Sequence, residues 1–300
     1  MPEQALRAGH PMRRLTRNRR GRTSPGSAWA GEGFAVLLGH ARSGTTVLAR
    51  ALGSHPEVGY WEEPALLSRL DRKLRWLDQV AAHLIEDASV KDLARTERDG
   101  NLREQFADEV TANRSEAEEV RIRAVRQLVD SLRSDFLARS GGSILLQKTP
   151  REITLAGTTR RWFPDAKLIH IIRDGRDVVC SGLTWEQRWG RPGWVRRDGP
   201  LLDAIAAQWA DQVGGALTSS GPDALVVGYE DLAQRGRPVV EACLEHLGLP
   251  WHREVSRFLE TGMGGIHANS IGRWRHDLDE AQRARVEELA GETLRRAGYA

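Results

Sequence analysis

The sequence predicts an α/β fold: a mostly parallel β-sheet covered by helices on both faces, with one helical insertion. Three observations carry this. Short apolar runs of strand length recur along the chain, each is followed by helix-compatible sequence, and the first passes directly into a glycine turn and a helix. Strands alternating with helices need crossover connections, which make neighbouring strands parallel and bury both sheet faces. Three hundred residues with 40% hydrophobic content suffice for one large core and fall short of two average domains, so a single domain is expected over residues 31–300.

Residues 1–30 come first. Arg7, Arg13, Arg14, Arg17, Arg19, Arg20 and Arg22 face only one acid, Glu3, with little apolar content to bury, and predict a disordered basic tail. The Arg13-Arg14 pair has no apolar stretch after it, as an export signal would require. Phe34 to Leu38 is the first strand, an apolar run ending at Gly39. Thr45 to Leu52 is the first helix, closed by Gly53 and the Ser54-His55-Pro56 break. From about 66 to 139 apolar residues recur at helical period: Leu66, Leu67, Leu70, Leu74 and Leu77, then Val125, Leu128, Val129 and Leu132. This is the helical insertion, with a break expected around Arg98 to Asn101. Ile144 to Leu146, Lys167 to Ile172 and Ala224 to Val227 supply three further strands. No internal repeat is present.

Composition excludes several classes. The net charge is only +3 and its basic excess is concentrated in the tail, so no nucleic-acid partner is expected. No run approaches the roughly 18 apolar residues of a membrane span, and a soluble, cytoplasmic protein is expected. Cys180 and Cys243 stand far apart without other ligand residues at metal spacing, and the nine histidines show no H-E-x-x-H pattern, so neither a disulfide framework nor a metal site is indicated.

The chemistry begins directly after the first strand, at Gly39-His40-Ala41-Arg42-Ser43-Gly44-Thr45-Thr46. Glycines at this spacing turn backbone N–H groups inward around an anion, and the helix that starts there points its positive end at the same spot. The spacing matches the Walker A pattern except that Thr45 replaces the lysine that would reach the β- and γ-phosphates. A nucleoside triphosphatase or kinase would lack its main cation, whereas Arg42 offers a planar fork from the loop itself. Set against this is a plain strand, turn and capped helix with no ligand. A second motif weighs against that bland alternative: the strand Lys167 to Ile172 runs into Arg173, Asp174, Gly175, Arg176, Asp177 and then Ser181. Arg173 and Ser181 are read as ligand contacts to a second anion, and Arg176 and Asp177 as helix-start charges or an ion pair.

Arg42-Ser43-Gly44-Thr45-Thr46 resembles the 5′-phosphosulfate loop of sulfotransferases that use 3′-phosphoadenosine-5′-phosphosulfate (PAPS), and Arg173 through Ser181 resembles their 3′-phosphate motif. The similarity runs from about Phe34 to Tyr299. It is closest to the branch holding the protein-tyrosine sulfotransferases and many bacterial small-molecule sulfotransferases, and weakest across the insertion. Trp61-Glu62-Glu63-Pro64 is similar to the segment carrying that branch's catalytic glutamate, and Gln147-Lys148-Thr149-Pro150 to the one with its active-site lysine. Tyr229 stands where a tyrosine lines the nucleotide site, and Arg273 where a C-terminal basic residue reaches it. No catalytic serine of the protein-tyrosine branch aligns, Ser270 lying too close to Arg273.

The resemblance implies transfer of a sulfuryl group from PAPS to a hydroxyl acceptor, without metal. Glu63 is the candidate base, with Trp61 and Pro64 expected to enclose it and raise its pKa. Its competing role is helix-dipole pairing. Lys148, one of only four lysines, would offset charge on the bridging oxygen together with Arg42. A non-catalytic protein that binds PAPS or its bisphosphate product is the other alternative. Trp185, Trp189 and Trp194 either wall an acceptor pocket or pack a loop, and the insertion either shapes that pocket or forms a homodimer face.

Overall fold

A computed structural model describes residues 29–76, 79, 100–261 and 268–299. Five strands form one parallel sheet in the order β2-β3-β1-β4-β5. They are β1 (Phe34–Leu38), β2 (Val58–Glu62), β3 (Ile144–Lys148), β4 (Lys167–Ile172) and β5 (Leu225–Gly228). The central strands β1 and β3 are buried throughout, as strands in a sheet covered on both faces are, β1 as a continuous apolar run and β3 with the polar Gln147 and Lys148 at its end. One layer packs Phe34, Val36, Leu38, Leu145 and Leu168 against helices, including Trp209 and Val213; the other packs Ala35, Leu37, Leu146, Ile169 and Ile171 against Leu48, Leu52, Val240 and Leu244.

Between the strands lie α1 (Thr45–Gly53), α2 (helical over 66–76), α3 (Gly100–Ser140), α4 (Ala156–Trp162), α5 (Gly175–Trp189), α6 (Leu201–Ser219) and α7 (Tyr229–His246). The chain closes with α8 (Arg253–Thr261), α9 (Trp274–Asp277) and α10 (Glu280–Arg296), the last starting with a capping box between Asp279 and Gln282.

Several details differ from the sequence expectation. The run Val58–Glu62 is a strand, β2, pairing in parallel with β3 along its length. The helical insertion is therefore the crossover between two adjacent strands. Within α3, Val125 and Val129 are buried as expected, and Phe136 stacks on Trp61 at 5.6 Å. Leu128, by contrast, is 47% exposed, because one helix buries only a stripe and this residue lies off it. The expected break at 98–101 falls at the start of α3, and the residues just before it, with Leu77, lie outside the described residues. So does the expected tail up to residue 28. Trp29 and Ala30 join the folded body, Trp29 against Phe163 and Ala30 accepting a backbone hydrogen bond from Asp165.

Among the described residues no helix is long and apolar enough to cross a membrane. Cys180 and Cys243 are both buried and free.

Candidate functional site

Every strand delivers a candidate residue at its C-terminal end. The loop 39–44 follows β1, Glu63 follows β2, Lys148 ends β3, Arg173 follows β4 and Tyr229 follows β5. Parallel pairing makes this one place: Lys148 is in register with Leu37 on one side and Glu62 on the other, and Ile172 with Gly228. The order of the sheet reverses at β1, whose neighbours β3 and β4 are reached in opposite directions, and a crevice at such a switch point is where open α/β sheets bind ligands.

The loop after β1 is built for close approach. Gly44 has φ 83°, and a Cβ there would lie 2.7 Å from the Tyr229 ring. A Cβ on Gly39 would lie 2.6 Å from Thr45 and 2.9 Å from Ile171, so both glycines are needed for room. Arg42 adopts φ 70°, a left-handed conformation that costs an ordinary side chain free energy and recurs at ligand sites. The Ser43 hydroxyl is buried without a partner among the described residues. His40, which the motif reading passed over, lies wholly buried under the loop. Its Nδ1 is 2.8 Å from the Ala41 carbonyl and its ring meets Trp194 edge-on at 5.5 Å. Burial pulls its pKa down to about 4, so the imidazole is neutral at pH 7 and adds no charge to the loop.

On one side of this crevice stand Thr46, Lys148 and Glu63. The Lys148 ammonium is fully buried and donates to Glu63 Oε1 at 2.6 Å and to Thr46 Oγ1 at 3.1 Å. The enclosure of Glu63 by Trp61 and Pro64 is not formed. Its side chain is 54% exposed, because Trp61 points to α3 and the carboxylate is held at the surface by Lys148.

At the other side Arg173, 5% exposed, donates to the carbonyls of Arg42 (2.9 Å) and Ser270 (2.8 Å) and lies 4.4 Å over the Tyr229 ring. Its Nε is buried with no partner, and no carboxylate among the described residues forms an ion pair with it. Arg42 Nε donates to Ser181 at 3.1 Å, so this arginine spans the two motifs. Burial, then the like charge of Arg173, lower the Arg42 pKa; its guanidinium stays open to solvent on one side, which screens part of that repulsion. Two crowded guanidiniums, a buried unpaired N–H and a buried hydroxyl are a donor set with the chemistry of an anion site.

Arg273 reaches Thr184 of α5 at 2.9 Å and pairs with Asp277, so it borders this corner without touching Arg173 or Arg42 in these contacts. Its segment is anchored by Asp177, whose buried carboxylate accepts the backbone N–H groups of Gly272 (2.7 Å) and Trp274 (3.0 Å). The helix-start reading of Asp177 is too modest; this contact spans 95 residues and no local pattern announces it. Arg176 does pair locally, with Asp174 at 2.8 Å. Ser270 lies 2.8 Å from the Tyr229 hydroxyl. Of the three tryptophans, Trp194 packs on His40, Trp185 lies under Arg42 at 5.3 Å, and Trp189 is 66% exposed beside Trp185.

The family model described as "Sulfotransferase family" matches residues 35–253, a span that includes the loop after β1, the Arg173–Ser181 segment and the five strands apart from Phe34. The chain belongs to the sulfotransferase family. Nodulation protein NoeE of Sinorhizobium fredii is 28% identical to this chain over 204 residues, 67% of this chain and 42% of NoeE. An uncharacterised protein of Aquifex aeolicus is 25% identical over 150 residues, 44% of this chain and 19% of its own length. The chain thus spans less than half the length of either curated relative. Among solved structures it resembles the sulfotransferase domain of the curacin biosynthetic pathway (TM-score 0.52, 15% identity, 89% of this chain and 98% of that one). It also resembles the sulfotransferase domain of the Synechococcus PCC 7002 olefin synthase (TM-score 0.51, 19% identity, 91% and 98%). Those two likenesses are of fold.

Proposed function

We propose that this sulfotransferase takes its sulfuryl group from PAPS and passes it to a hydroxyl of a small-molecule, glycan or lipid acceptor by in-line displacement. The observation that carries the reading is the buried Lys148 ammonium, held between the Thr46 hydroxyl of the phosphate loop and the half-exposed Glu63 carboxylate. A cation that offsets charge on a leaving oxygen and a carboxylate open to an incoming hydroxyl stand side by side.

PAPS supplies an activated sulfuryl group with anions at both its 5′ and 3′ ends. Thr45, Thr46, Ser43 and the backbone of Gly44 would hold the 5′ end, with Arg42 as its loop cation. Arg173 and Ser181 would hold the 3′-phosphate, Tyr229 and Arg273 lining the nucleotide between. Glu63 accepts the proton of the acceptor hydroxyl as it attacks, and Lys148 balances the negative charge that builds on the opposite side. Charge is thus neutralised by side chains, in the roles that magnesium and the Walker lysine fill in a P-loop kinase.

The test is direct. Incubation with PAPS and a panel of phenols, glycosides, lipids and tyrosine-bearing peptides should give one product heavier by a single SO₃ in mass spectrometry. Glu63→Gln should slow its formation by about 10²- to 10⁴-fold while adenosine 3′,5′-bisphosphate binds as before. Tight bisphosphate binding with no sulfated product from any acceptor would favour a nucleotide-binding protein instead, and magnesium-dependent ATP hydrolysis would favour a kinase-like enzyme.

A further inference from the structure

Glu63 carries its carboxylate on an unusual turn. Glu63 and Ala65, on either side of Pro64, both have left-handed backbones, with φ 48° and 50°. The Glu63 side chain is half exposed, so packing does not hold it in place. Three hydrogen bonds hold the turn instead. Glu63 N–H donates to the Lys148 carbonyl at 2.9 Å, Ala65 N–H to the Thr149 hydroxyl at 3.1 Å, and Ser68 N–H to Glu152 Oε1 at 2.8 Å. All three acceptors lie within residues 148–152, the stretch that begins with Lys148 itself.

The third bond differs from the others. Ser68 is the third residue of α2, whose first N–H groups have no acceptor within the helix. They are normally satisfied by a residue just before the helix, but here the cap comes from 84 residues away. The capping carboxylate is wholly buried, and its second oxygen accepts the Gln147 side-chain amide from β3. Burial raises the Glu152 pKa and these hydrogen bonds oppose the rise. A buried carboxylate held by amide N–H donors, with no cation paired to it among the described residues, is a costly feature to keep for helix capping alone.

We propose that Glu152 is a positioning residue: by capping α2 from outside it fixes the turn 63–68 and holds the Glu63 carboxylate against Lys148. This rests on Glu63 as the proton acceptor. It also gives the helical segment between β2 and β3 a mechanical link to the transfer site, since any displacement of α2 is transmitted to the turn that carries Glu63.

The experiment compares Glu152→Leu and Glu152→Asp, which remove the cap or draw it back by one methylene, with Glu152→Gln, which keeps an acceptor oxygen. Turnover on a fixed acceptor, calorimetric affinity for adenosine 3′,5′-bisphosphate and a cycle with Glu63→Gln are measured on each. Glu152→Leu should lower kcat on the order of 10²-fold, the cost of misplacing a reacting group by about an ångström, with bisphosphate affinity unchanged. Glu152→Asp should fall in between and Glu152→Gln should recover most of the rate. In the Glu63→Gln background, Glu152→Leu should cost nothing further. A loss that adds in full to that of Glu63→Gln, or unchanged turnover in a folded Glu152→Leu protein, overturns the proposal; if that variant does not fold, Glu152→Asp is held to the same criterion. Should Glu63→Gln itself leave turnover intact, the reading of Glu63 fails separately. A crystal structure of Glu152→Asp then decides the positioning alone, which is refuted if the contact between Glu63 and Lys148 is unmoved.

Discussion

Replacing Asp177 by Asn should weaken nucleotide binding without touching a group that contacts the nucleotide. Its wholly buried carboxylate accepts two backbone N–H groups, from Gly272 and Trp274, and so ties the segment carrying Arg273 to α5 through its main chain. Asn keeps one acceptor oxygen but turns an amide donor toward the second N–H. A hydrogen bond to a charged group contributes about 1.5–3 kcal/mol and a buried unsatisfied donor costs about 1–3 kcal/mol. Against these, Asn removes a buried charge, which is why burial raises the Asp177 pKa while the two N–H bonds oppose the rise. The net loss should be about 2 kcal/mol, or roughly a 30-fold rise in Kd if the segment must be ordered to bind. Calorimetry with adenosine 3′,5′-bisphosphate reads this directly. A lowered Tm with Kd within twofold of wild type would refute the reasoning, since the segment would then be structural and no part of the nucleotide site.

Acid should unfold this protein early. His40 and His170 are wholly buried and their pKa values fall from 6.5 to about 4 through desolvation. Both are neutral in either state above pH 6.5; below it the unfolded chain takes protons that the folded one refuses, so stability falls between pH 6.5 and 4, by up to about 3 kcal/mol for each. Urea melts at pH 7.5, 6 and 5 should show the midpoint dropping, with a shallower drop in His170→Gln; midpoints independent of pH would contradict it. Arg173→Ala should cost about 2–4 kcal/mol in bisphosphate affinity and abolish discrimination against the analogue lacking the 3′-phosphate, while unchanged discrimination would place that phosphate elsewhere.

The strands show how far a one-dimensional reading reaches. β1 and β4 have the bounds predicted for them, β1 because a strand buried on both faces is a continuous apolar run, and β4 although it opens on the exposed Lys167 and buries His170. β3 runs two residues further than expected, through the buried polar residues Gln147, whose amide N–H donates to Glu152, and Lys148, which donates to Glu63 and Thr46. β2, with Gly59 in its middle and an outer edge, gave no apolar run to find. The backbone of the loop after β1 was legible since its glycines, turn and helix are contiguous. Asp177 and Glu152 were not, their partners lying 95 and 84 residues away.

The class of fold and the family are legible in neighbouring residues whose backbone demands are local, and so are the two motifs proposed to bind anions. Three-dimensional contacts alone reveal that Lys148 faces Glu63 rather than solvent, that Arg42 bridges to Ser181, and that a buried carboxylate caps α2. Those facts follow from parallel register, which aligns the ends of five strands scattered over some two hundred residues. Burial then removes water as a competing partner, so groups distant in sequence must satisfy one another.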